Sequence, residues 1–211
     1  MSPKKRIRAF TLAETLITLV IIGVVAAITI PSMINNFKET EYKTAYKKAF
    51  SDLSNALNDA NRENLLVSSE SSTDTAANYY NFTQLKSKFK VTKDCDNNNN
   101  RGCWDRTGEF IEDVYPTGSA PAFIDNSGRT WSFRLIKTSS DGTTQSHFFF
   151  VDTNGFKAPN QFGKDRFILQ LKDKNNQLKN VPEKISPYPD YQRSSDRCPS
   201  GNCYYTSWLM D

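Results

Sequence analysis

The sequence predicts an α+β protein: a long N-terminal helix, transmembrane in its first half and amphipathic in its second, packed on a four-stranded antiparallel sheet. Three observations carry this reading. Twenty-three uncharged residues separate Glu14 from Lys38. Directly after them, apolar residues recur in steps of three and four. From Ala122 onward that spacing gives way to short apolar runs divided by turn residues.

The uncharged stretch, TLITLVIIGVVAAITIPSMINNF, is long enough as a helix to cross a hydrocarbon layer of about 30 Å. Lys4, Lys5, Arg6 and Arg8 precede it, and basic residues before a span hold that end in the cytoplasm. The chain has 27 basic and 23 acidic residues, so the body beyond those four is neutral. A neutral body without a later basic cluster gives no case for nucleic-acid binding.

The amphipathic half places Tyr42, Ala45, Tyr46, Ala49, Phe50, Leu53, Ala56, Leu57 and Ala60 on one face. Lys43, Lys47, Lys48, Asp52, Asn55, Asn58 and Asp59 fall between them as a wet face. The helix is expected from Phe10 to about Leu66. Gly23 and Pro31 lie within it; proline removes a backbone hydrogen bond, so a kink or local melting is expected there.

Periodicity fades from Val67 to about Ala120, where polar and Asn-rich runs read as loops. Four strands are expected after that: AFID, RTWSFRLIKT, SHFFFVD and DRFILQLK, the first two joined by a turn at Gly128. A tail of coil follows from Lys174. The expected organisation is therefore a basic leader at 1–9, an apolar helix half at 10–37, an amphipathic half at 38–66 and a globular head with C-terminal coil at 67–211.

Four cysteines, Cys95, Cys103, Cys198 and Cys203, all lie beyond the apolar run. An even number in an outward-facing domain points to two disulfides. Short loops close with the least entropy loss, so the expected pairs are Cys95 with Cys103 and Cys198 with Cys203. Their spacing and the distance of the single histidine, His147, argue against zinc.

The region Arg8-Ala9-Phe10-Thr11-Leu12-Ala13-Glu14 joins a basic stretch, a small residue, a large apolar residue and a lone carboxylate at the head of an apolar helix. An ionised carboxylate within a span costs on the order of 2.5 kcal/mol or more near its centre. A chain tolerates it where a cation cancels the charge. A new α-amino group at Phe10, of the same chain or of a neighbouring one, would be such a cation. Within its own helix, Glu14 is expected to have no other partner.

The stretch KKRIRAFTLAETLITLVIIGVVAAITIPSMINNF resembles the N-terminus of type IV prepilins and of type II secretion pseudopilins. The resemblance implies a cut between Ala9 and Phe10 by a prepilin peptidase and N-methylation of Phe10. It implies an assembly role for Glu14 and a helix kink at Pro31. The residue before the cut is usually glycine in that family, and here it is Ala9. Residues 1–9 would then be the prepilin leader. The implied function is structural: a subunit of a type IV pilus or pseudopilus, with no enzymatic activity and no cofactor. Its implied partners are identical or related subunits, the prepilin peptidase, an inner-membrane assembly platform and the lipid bilayer. The implied location is the bacterial inner membrane with the head outside the cytoplasm, then a filament at the cell surface or in the periplasm. The alternative is a membrane-anchored extracytoplasmic binding or enzymatic domain with no filament role.

Two further motifs carry polar side chains at turn-like spacing. VDTNGFKAPNQFGKDRF carries Asp152, Asn154 and Asp165 on a loop with Gly155 and Gly163. It resembles a connection found in many bacterial pilin-like proteins, and it reads as turn chemistry, with no metal assigned. Asn81-Phe82-Thr83 is a glycosylation sequon, a pattern too common to carry weight.

Overall fold

The computed structural model describes residues 11–68, 75–95, 102–105, 107, 120–137, 145–175, 181–187 and 209. The chain forms two compact units, Met1–Glu41 and Tyr42–Asp211. Helix α1 runs from Leu12 to Arg62 and helix α2 from Thr75 to Lys86.

In the first unit, the large apolar side chains from Leu12 to Phe37 are exposed. Among the described residues, α1 is the helix long and apolar enough to cross a membrane.

In the second unit, α1 buries Tyr46, Ala49, Leu53, Ala56, Leu57 and Ala60, the expected three-four stripe. Alanines on that stripe let the helix approach the sheet closely. Tyr46 then meets Phe167 with ring centroids 4.5 Å apart. The helix stops at Arg62, short of the expected Leu66. Asn64 takes φ 54°, and Leu65 N–H donates to Ala60 O while Asn64 N–H donates to Asn61 O. This pair of bonds closes the last carbonyls of the helix, with Asn tolerating the left-handed turn.

The sheet has six strands, not the four expected: β1 Val91–Asp94, β2 Ala122–Asp125, β3 Thr130–Lys137, β4 Gln145–Asp152, β5 Arg166–Lys172 and β6 Lys184–Pro187. Their order in the sheet is β1-β2-β3-β4-β5-β6, and every neighbouring pair is antiparallel. The expected strands are β2 to β5. The two additions are the short edges. Edge strands bury little, so they carry little apolar signal: β1 is exposed throughout, and β6 ends in a proline.

One face of the sheet joins Phe123, Trp131, Phe133, Phe149, Val151, Phe167, Leu169 and Leu171 to the α1 stripe. Helix α2, absent from the sequence reading, adds Phe82 and Leu85 to this core. The Phe82 ring lies 5.3 Å from Phe133 and 5.8 Å from Phe149. The other face is buried too: Phe148, Phe150, Ile168 and Arg166 are sealed. Trp104 packs edge-on against Phe150 there.

The turn between β2 and β3 is built on Asp125. Gly128 N–H donates to Asp125 O, and Gly128 at φ 81° supplies the left-handed step. Gly155, in the β4–β5 connection, packs on this turn. A Cβ at Gly155 would lie 2.6 Å from Gly128 O, so only glycine fits.

Candidate functional site

The head of α1 is built by a reciprocal cap. Thr11 stands one residue before the helix, and Glu14 N–H donates to Thr11 Oγ1 at 3.2 Å. In return Thr11 N–H donates to Glu14 Oε2 at 2.9 Å, and the Thr11 hydroxyl donates to the same oxygen at 3.0 Å. A capping Thr with an acidic residue three positions on satisfies helix-end donors in both directions. The expectation that Glu14 finds no partner in its own helix is thereby corrected: Thr11 is one. The sequence carries the signal as T-x-x-E, the pattern of a capping box.

The next hydroxyls turn back onto the helix. Thr15 Oγ1 donates to Leu12 O at 2.8 Å, and Thr18 Oγ1 lies 3.0 Å from Glu14 O and 2.9 Å from Thr15 O. Helix α1 passes through Gly23 and Pro31 without a break. Ala9 and Phe10, the expected cleavage pair, lie outside the described residues.

A family model for the prokaryotic N-terminal methylation motif matches residues 4–30. The chain carries the prepilin-type signature of type IV pilins and pseudopilins. That match spans the basic residues from Lys4 to Arg8, Ala9, Phe10, the Thr11–Glu14 cap and the first part of the apolar helix. No curated protein and no solved structure matches the chain.

Elsewhere in this prepilin-type chain, the other sequence motifs resolve into structure. Cys95 and Cys103 form a disulfide with an S–S distance of 2.08 Å. Cys198 and Cys203 lie outside the described residues. His147 sits in β4, opposite Leu135 on β3 and Leu171 on β5.

The Asp152–Asp165 loop is an internal clamp. Asp165 is fully buried, and its carboxylate accepts from Asn160 N–H at 2.7 Å, Gln161 N–H at 2.7 Å and Asn154 Nδ2 at 3.0 Å. Asp152 accepts from Arg166 Nε at 2.8 Å. Those oxygens face N–H donors, which is the wrong surrounding for a cation that wants oxygen ligands. Among the described residues no cluster of three or more His, Cys, Asp or Glu is arranged to hold a metal. Burial pushes the Asp152 carboxyl up to about 7, with Asp165 adding to it against the pull of Arg166.

The sequon at Asn81 is closed. Asn81 is 2% exposed; its Nδ2 donates to Val67 O at 2.8 Å and its Oδ1 accepts from Val67 N–H at 2.9 Å. An amide held on both sides is not available for a glycan. Asn81 instead ties the strand of chain after α1 to α2.

Sequence reasoning missed a second polar hub. Asp125 accepts from Ser127 N–H, Arg129 Nε and Trp131 Nε1 at 2.8, 2.8 and 2.9 Å. Arg129 Nη2 then donates to Asp52 on α1 at 2.6 Å. The sequence places Asp52 among the wet-face residues, although its helical position borders the apolar stripe. In the structure it receives Lys48 on one side and Arg129 on the other.

Proposed function

We propose that this prepilin-type chain is the precursor of a structural subunit of a type IV pilus or a type II secretion pseudopilus. The observation that carries the reading is the coincidence of the matched motif at 4–30 with an exposed apolar helix headed by one carboxylate. On this reading a prepilin peptidase cuts between Ala9 and Phe10, and the new amine at Phe10 is methylated.

The subunit waits in the inner membrane with its basic leader in the cytoplasm and its head outside. The Cys95–Cys103 disulfide supports an oxidising surrounding for the head. An assembly platform then draws the subunit into a filament of like subunits, packed through α1. Between helices already in lipid there is little hydrophobic gain, so close packing and polar pairing must supply the specificity. Glu14 is the polar partner, set to receive the cationic amine of a neighbour. Gly23 and Pro31 are where α1 bends or unwinds as the helices pack. The role is mechanical, and no enzymatic step is assigned to it.

Intact-mass measurement and N-terminal sequencing of the mature chain test this. The expected product begins with N-methylated Phe10. A chain cut near Ile28, as by an ordinary signal peptidase, or an uncut chain that functions fully, overturns the reading in favour of a secreted or simply anchored domain.

A further inference from the structure

The polar residues at the head of α1 share one side. Thr11, Glu14, Thr15 and Thr18 are spaced i, i+3, i+4 and i+7, which gathers them into about 100° of the helix circumference. Leu12, Ala13, Leu16, Ile17, Leu19, Val20 and Ile21 fill the remainder. Thr15 and Thr18 are exposed, as are their neighbours.

This wedge offers acceptors and few donors. A hydroxyl has one proton and two lone pairs. The Thr15 proton is directed at Leu12 O, and the Thr18 proton at Glu14 O or Thr15 O. With the protons satisfied inside the helix, the oxygens keep lone pairs for an outside donor. Both Thr11 bonds to Glu14 end on Oε2, and Oε1 accepts none from the described residues. A carboxylate oxygen and nearby hydroxyl oxygens therefore stand ready on one face, surrounded by apolar residues.

The matching partner is a cation with more than one N–H. An α-amine carrying one methyl and one added proton has two. In hydrocarbon each unpaired N–H is costly, so one carboxylate oxygen leaves the second N–H wanting an acceptor. Thr18 lies one turn beyond Glu14, about 5–6 Å away between Cβ atoms, and can supply it.

We infer that Thr18, with Thr15 beside it, is the second acceptor for the N-terminal ammonium of another copy of this chain, completing the Glu14 site. This rests on the filament reading above. The wedge, rather than Glu14 alone, then sets which face of α1 meets the neighbour.

The test uses the full chain in cells that assemble it, with sheared fibre measured per unit of membrane-inserted subunit. Thr18→Val keeps the shape and removes the oxygen; Thr18→Ser returns it. Thr29→Val is the control, since Thr29 makes the same back-bond to Val25 O much further along the helix. Glu14→Gln tests the underlying reading in parallel. The expected result is a loss of about tenfold or more for Thr18→Val, recovery for Thr18→Ser and no change for Thr29→Val. Fibres that Thr18→Val does form should dissociate at lower pH on alkaline titration, because the ammonium has lost an acceptor. Normal yield and an unshifted dissociation pH for Thr18→Val, with Glu14→Gln defective, overturn the inference alone. Normal yield from Glu14→Gln overturns the filament role of Glu14 and the inference with it.

Discussion

Arg166 Nε donates to Asp152 at 2.8 Å, with the two side chains 0% and 1% exposed. The same guanidinium donates to Thr107 O at 3.0 Å and to Asp105 O at 2.6 Å, and lies over the Trp104 ring at 5.3 Å. One buried cation thus fastens the segment that follows Cys103 to the start of β5. Arginine suits the position because its planar fork reaches several acceptors at once.

Arg166→Met should therefore do more than remove one ion pair. It takes the guanidinium donor from two carbonyls and from the Asp152 carboxylate, which among the described residues keeps only Asn154 N–H at 3.3 Å. The expected loss is about 3–5 kcal/mol of unfolding free energy, measured by urea titration of the full chain in detergent. Arg166→Lys should recover only part of it. A loss below about 1 kcal/mol for Arg166→Met would mean that the clamp is not what holds this segment.

Asp152 also gives the head a distinctive response to pH. Its carboxyl is raised from 3.8 to about 7 in the folded chain. Between those values the folded state holds a proton that the unfolded state has released. Stability from this group is thus complete below about pH 4 and declines as pH rises through 7. Asp52 and Asp105 act oppositely and at lower pH. For both, burial raises the carboxyl, but bonds from Lys48 and Arg129 at Asp52, and from Thr107 at Asp105 with help from Arg166 and Asn160, hold it below the ordinary range. Their contribution is present above pH 4 and is lost only on further acidification. Asp152→Asn should flatten the decline between pH 4 and 7 and leave the acid limb unchanged. An undiminished slope in Asp152→Asn would assign it to another group.

How much of this was legible depended on how local the signal was. The prepilin-type head could be read because lipid forces composition: only a long uncharged run crosses it, and a carboxylate at its head stands out. Strands β2 to β5 could be read because each is rich in Phe, Ile, Val or Trp. Strand β1 could not, since VTKD is exposed and has a single apolar residue. Helix α2 escaped because, among its described side chains, Phe82 and Leu85 are the apolar ones in the core, while Tyr79 and Tyr80 are exposed. Asp52, Asp125, Arg129, Asp152 and Arg166 are ordinary surface types in sequence. Their burial comes from long-range partners such as Asp52 and Arg129, which no local window joins.

Asn81 makes a sharper test of one such partner. Its amide pairs with both the N–H and the C=O of Val67, as an adjoining strand would. Asn81→Ala removes both bonds to the half-exposed Val67 backbone and leaves its N–H and C=O to find water or go unpaired. The expected cost is about 1–3 kcal/mol, read from thermal unfolding of the full chain. Asn81→Asp should be no better, since it replaces the donor facing Val67 O with a second acceptor. Wild-type chain made in a host that glycosylates Asn-x-Thr sequons should gain no mass at this position. A glycan on natively folded chain at Asn81 would contradict the closed amide.

Arg129 links the amphipathic half of α1 to the sheet, and its loss should uncouple them energetically. Nε bonds Asp125 and Nη2 bonds Asp52, at 2.8 and 2.6 Å, and the guanidinium lies 5.5 Å from the Trp131 ring centre. Asp125 is 1% exposed, so removing Arg129 leaves its charge buried, whereas Asp52 keeps Lys48 at 2.7 Å. The two contacts should therefore differ. Arg129→Leu should cost about 3–5 kcal/mol, mostly through the stranded Asp125. Asp52→Asn should cost less, about 1 kcal/mol, because that carboxylate keeps some contact with water and an Asn can still accept a bond. In a double-mutant cycle, Asp52→Asn on the Arg129→Leu background should cost little further, giving a coupling near the single Asp52 value. Additive losses would show that Asp52 acts through Lys48 alone, and that the β2–β3 turn is held to α1 by apolar packing without this pair.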